Sequence, residues 1–108
     1  MGYYLKKNDS AGKPMFNLKA SNGEIILTSE SYETRAGRDN GIRSCQINSQ
    51  LGERYVDRQS VANEPYFVLK AGNGEVIGTS EMYSSNAARE VGKASCKANG
   101  DTSDIREQ

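Results

Sequence analysis

Two cysteines, Cys45 and Cys96, are the strongest nucleophiles in a chain of 108 residues that contains no His and no Trp. Lying 51 positions apart, they could meet across an internal symmetry axis as a redox pair. No partner thiol stands at the Cys-x-x-Cys spacing that lowers a thiol pKa, so two small buried side chains on helices are the plainer reading. Without His there is no Cys–His nucleophile and no mixed metal site, and two cysteines exclude a disulfide scaffold and a four-Cys zinc site. No metal or cofactor is expected. Carboxylates recur as Glu24 and Glu75, Glu30 and Glu81, and Asp39 and Glu90. Acid–base catalysis needs two carboxyls in unlike surroundings; turns and helix surfaces explain these without chemistry. No catalytic residue is assigned, and the chain reads as a non-enzyme.

Basic and aromatic residues form the remaining set. Lys6, Lys19, Lys70, Arg38 and Arg89 with Tyr4, Tyr55, Phe16 and Phe67 resemble the ingredients of a single-strand stacking platform. Two observations argue against nucleic acid as partner. Lys plus Arg total 14 and Asp plus Glu total 14, a net charge of zero, and the aromatics alternate toward the face that helices should cover. The Gly-rich stretches Ala20–Glu24 and Ala71–Glu75 lack the Gly-Lys-Ser/Thr ending of a phosphate loop.

Positioning falls to a repeated unit. An offset of 51 residues superposes 14–48 on 65–99 without a gap, with 19 identities in 35 positions. One domain built of two repeats, 1–52 and 53–108, follows. Met15–Ala20 alternates, with Phe16, Leu18 and Ala20 on one face and Asn17 and Lys19 on the other, as a half-buried strand does. Asn22-Gly23 and Asn73-Gly74 then signal hairpins into return strands at Ile25–Thr28 and Val76–Thr79. A three-residue loop with Gly23 left-handed pairs Ala20 with Glu24 and turns Ile26 inward. A two-residue loop would turn Ile25 and Leu27 inward instead. Ile26 recurs as Ile77 whereas Leu27 becomes Gly78, which favours the three-residue loop.

Glu33–Ile47 and Ser84–Ala98 read as helices, Ser84 as a plausible N-cap. Both carry small residues at one spacing, among them Gly41 and Gly92, for which close approach of helix to sheet is the simplest reason. Weaker similarity places further strands at 3–7, 54–58 and 104–107. The expected architecture is α+β: three-strand, helix, strand units in tandem, forming one antiparallel sheet with both helices packed on one face. The longest apolar run has three residues, Ile25–Leu27, and the start lacks an export signal. A cytoplasmic chain without membrane contact is expected.

The tandem pattern Phe16–Ile26, Thr28–Tyr32 and Asn40–Ser44, with its second copy at Phe67–Ile77 and Thr79–Tyr83, resembles the YegP-like family of small bacterial proteins. The resemblance implies tandem units sharing one sheet with terminal strands exchanged between them, and single-unit relatives that pair as homodimers. It carries over no catalytic residue. Val91-Gly92-Lys93 stands where the motif has Asn-Gly-Ile, and Cys45 and Cys96 fill positions that are usually Val.

The expected function is that of a small interaction module, monomeric because each half serves as the other's partner, with an unidentified protein as its possible ligand. The alternative is nucleic-acid or small-anion binding on the uncovered sheet face. The candidate contact surface there comprises Asn17, Lys19, Ile25, Leu27, Val68, Lys70 and Val76.

Overall fold

The computed structural model describes residues 1–108 as seven strands and two helices. The first repeat supplies β1 (Tyr3–Asn8), β2 (Pro14–Lys19), β3 (Ile25–Ser29) and α1 (Arg35–Asn48). After a single 3-10 turn at Gly52–Arg54 come β4 (Tyr55–Gln59), β5 (Pro65–Lys70), β6 (Val76–Ser80), α2 (Asn86–Asn99) and the short β7 (Ile105–Glu107). They form one sheet in the order β4-β5-β6-β3-β2-β1-β7, so the two hairpin triplets meet at an antiparallel β3–β6 seam. Every pairing is antiparallel except that of β7, which lies parallel to β1. The last strand of the second repeat thus completes the sheet of the first.

The hairpin loops have three residues. Ala20 N–H donates to Glu24 carbonyl and Gly23 N–H to Ala20 carbonyl, each at 2.9 Å, while Gly23 takes φ +87°. The second hairpin repeats the geometry at Ala71 and Gly74. Left-handed backbone is what glycine supplies most readily.

The register departs from the expected one at Leu27. Leu18 pairs with Leu27 but Lys19 with Ile25, so Ile26 is a bulged extra residue. A bulge sets two residues against one and re-aims the chain. Ile26 and Leu27 therefore both point toward the helices, and Leu27 is 0% exposed within the core. Its loss in the second repeat has a steric cause: a Cβ on Gly78 would lie 2.8 Å from Leu27 Cγ. One leucine fills the space near the symmetry axis, and its counterpart must be a glycine.

Helices α1 and α2 start two residues later than expected. Thr34 Oγ1 accepts from Gly37 N–H and Ser85 Oγ from Ala88 N–H, both at 3.0 Å, so Ser85 caps α2 in place of Ser84. Both helices cross the same face over a core of Tyr4, Phe16, Leu18, Ile26, Leu27, Ile42, Cys45, Phe67, Leu69, Ile77 and Cys96. The helical glycines do not meet the sheet directly. A Cβ on Gly41 would lie 2.2 Å from the Tyr32 hydroxyl oxygen, and one on Gly92 2.1 Å from that of Tyr83. Those rings, stacked on Phe16 and Phe67 at 6.4 and 6.3 Å, are what the glycines accommodate.

Candidate binding face

Because both helices sit on one side, the opposite face of the sheet has no second layer. Its composition follows from the pairing. One row crosses all seven strands as Val56, Val68, Thr79, Thr28, Asn17, Leu5 and Arg106. Flanking rows hold Tyr3, Lys19 and Ile25 on one half and Lys70 and Val76 on the other, with Met15 beside Lys7 and Tyr66 beside Arg58.

Of the residues expected on this face, six lie there. Lys19, Ile25, Lys70 and Val76 are half-buried. Asn17 and Val68 are only 2% and 4% exposed. Asn17 donates to Thr28 Oγ1 at 3.0 Å, and its Oδ1 finds no partner. Leu27 is the correction: the bulge carries it to the other side and into the core.

Reading single strands missed the charge pattern. Five cations occupy the face, Lys7, Lys19, Arg58, Lys70 and Arg106. No strand places a carboxylate there. Asp57 and Glu107, the only acidic strand residues, point to the helix side. There Asp57 meets Lys93 at 2.9 Å and Arg89 at 3.5 Å. Lys7, Lys19, Arg58 and Lys70 form no ion pair, whereas Arg106 holds Asp104 at 3.0 Å. Two half-buried tyrosines stand beside these cations. Tyr3 is opposite Lys19 and Tyr66 opposite Arg58, and the Arg106 guanidinium lies 3.9 Å from the Tyr3 ring centroid. The signal was present in the sequence as strand parity, but it becomes legible only once all seven strands are aligned.

Tyr4, Phe16 and Phe67 are fully buried beneath the helices, and Tyr55 half-buried, as alternation implies. Cys45 and Cys96 are free thiols in the same core. Burial pushes the Cys96 thiol up to about 11 and that of Cys45 further still, so both stay protonated and unreactive near neutrality. The paired carboxylates also separate by role. Asp39 holds Lys6 at 3.2 Å and Arg38 at 3.3 Å. Glu24 with Glu81, and Glu75 with Glu30, rim two equivalent clefts between a hairpin tip and the opposite helix. No group of three or more His, Cys, Asp or Glu side chains is placed to hold a metal.

A duplicated α+β sheet with helices on one side and a basic open face on the other defines the class. The family model described as "Domain of unknown function (DUF1508)" matches the chain twice, at residues 9–55 and 60–107. The chain belongs to that family. Among curated relatives, the UPF0339 protein YegP of Yersinia pestis is 52% identical over 100 residues, covering 93% of this chain and 89% of that one. A UPF0339 protein of Shewanella oneidensis is 47% identical over 106 residues, covering 98% and 96%. Solution structures show the same fold. That of the Shewanella oneidensis protein matches with TM-score 0.91 over 98% of this chain and 90% of its own, at 47% identity. That of yegP from Escherichia coli, a protein of unknown function, matches with TM-score 0.93 over 99% and 92%, at 40% identity. No helix is long and apolar enough to cross a membrane.

Proposed function

We propose that this chain is a non-enzymatic, cytoplasmic binding module that holds single-stranded nucleic acid across its open sheet face. The carrying observation is the segregation of charge: a molecule of net charge zero presents five cations from the strands of that face, and the one carboxylate paired with any of them is Asp104, on Arg106. Phosphates would meet Lys7, Lys19, Arg58 and Lys70, none of which is committed to an ion pair. Each tyrosine has a cation directly opposite, the arrangement that lets a base stack while its phosphate is neutralised. Four strand spacings separate Tyr3 on β1 from Tyr66 on β5, roughly 19 Å, so the site suits an extended strand and not one nucleotide. The absence of His and the protonated core thiols support a binding role over catalysis. This places the weight on the second of the two expected functions, because net charge conceals the face.

Fluorescence anisotropy of a labelled oligothymidylate against the full chain tests the reading. Binding at low salt that falls linearly in log affinity with log salt, and that is lost in Lys19→Glu/Lys70→Glu with an unchanged thermal midpoint, is the expected result. Labelled polyglutamate serves as the control. No binding, or equal binding of polyglutamate and oligothymidylate, would overturn it, the latter by showing that charge alone is being sensed.

A further inference from the structure

Repeat symmetry maps β1 onto β4, yet only β1 has an outer neighbour. In the first repeat that neighbour is β7, with Ile105 opposite Tyr4. Ile105 lines a recess of about 150 Å³ there together with Lys6, Asp39, Ile42 and Arg43. The equivalent recess of the second repeat lies over Tyr55, between β4 and α2. It is lined by Gly52, Glu90, Lys93, Ala94 and Lys97, measures about 320 Å³, and no strand occupies it.

The first repeat also shows which backbone groups face outward. Tyr4 N–H donates to Asp104 carbonyl at 2.9 Å, and Lys6 carbonyl accepts from Gln108 N–H at 3.0 Å. Their equivalents are Tyr55 and Asp57. Tyr55 N–H is already taken by Gly52 carbonyl, which leaves the Tyr55 carbonyl and the Asp57 N–H and carbonyl for an incoming strand. Unpaired edges of this kind are templates for strand addition.

We infer that the β4 edge accepts an extended segment of a partner protein as a parallel strand, with a branched apolar side chain seated over Tyr55. The chain's own β7 shows the backbone pairing and the branched residue that such a segment must imitate. Its Glu107, which lies opposite Lys6, must give way to a basic residue opposite Asp57. A foreign segment fits better than a second copy of this chain. Each chain has one donor strand for two acceptor edges, and that strand is clamped in place. Thr102 Oγ1 donates to Gly2 carbonyl at 2.9 Å and Gly2 N–H to Asn99 Oδ1 at 2.7 Å. This site lies on the edge and helix side, apart from the basic face.

The probe is a synthetic peptide of residues 101–108 carrying Glu107→Lys, titrated into the isotope-labelled full chain and followed by amide chemical shifts. Saturable shifts at residues 52–59 and at Lys93, Ala94 and Lys97 are expected. Replacing the peptide's isoleucine by aspartate should weaken binding at least about tenfold, since the apolar burial is lost. Ala94→Trp, which fills the recess from an exposed helix position, should abolish binding while the rest of the spectrum stays folded. No shifts at saturating peptide would overturn the inference. So would shifts confined to β1 and β7, which report strand exchange, shifts indifferent to both substitutions, or self-association of the chain through this edge.

Discussion

At Gly41 and Gly92 each helix carries, mid-length, a residue that costs about 1 kcal/mol against Ala. Tyr32 and Tyr83 explain the cost, since their hydroxyl ends occupy the volume a methyl group would need. Adding that methyl must push a ring already stacked on Phe16 or Phe67. Two effects of opposite sign therefore compete in Gly41→Ala. Helix propensity gains about 1 kcal/mol, and overpacking costs about 1–3 kcal/mol. The rigid phenol makes the second the larger, so the urea midpoint should fall. In a Tyr32→Ala background the obstacle is gone and the same substitution should raise the midpoint. A fall in both backgrounds would mean that Gly41 answers to something other than the ring.

At the scale of elements, the bulge in β3 separates what the residue pattern revealed from what it concealed. Alternation of Phe16 and Leu18, the Asn-Gly turns and the repeat itself were readable, because each rests on local chemistry or on self-comparison. Leu27 was not. A period of two carries it outward, and only pairing with β2 shows that Ile26 is inserted. Its replacement by Gly78 looked like evidence of a tolerant surface position, when it records two equivalent sites sharing one volume. The basic face stayed hidden for a related reason: Lys7, Arg58 and Arg106 lie on strands whose parity is set by partners far away in sequence. The shared volume makes a test. Gly78→Leu should destabilise by about 1–3 kcal/mol through overpacking, and Leu27→Gly by somewhat more than the roughly 2–5 kcal/mol of a buried Leu→Ala change. Combined, the two substitutions move the leucine across the axis, and the double variant should be more stable than either single one. Strictly additive losses in chemical denaturation would show that the sites do not share space.

For the whole molecule, a core lined with protonated thiols and phenols has a consequence for pH. Burial raises Cys45 and Cys96 above the ordinary thiol value of 9.0, and Tyr4 and Tyr55 above the ordinary phenol value of 10.0. The unfolded chain therefore releases these protons at lower pH than the folded one. Their contribution to stability is complete below 9.0 and is lost as pH climbs from there through the folded values. Urea midpoints should match at pH 7 and pH 8, then drop by about pH 10.5. An unchanged midpoint at the alkaline end would mean that the core readmits water before it unfolds.

The parallel β1–β7 pair also determines how the chain responds to being pulled. The N-terminus leads into β1 and the C-terminus trails from β7, so the two chain ends leave the pair in opposite directions. Tension between the termini loads its hydrogen bonds in shear, and the three paired positions must yield together instead of unzipping one at a time. Behind them, the Tyr4 hydroxyl donates to Gly100 carbonyl at 2.6 Å and passes the load into the core. A tether through the termini would thus meet its resistance at one margin of the sheet, while β4 at the far margin carries none of the force until that clasp has opened.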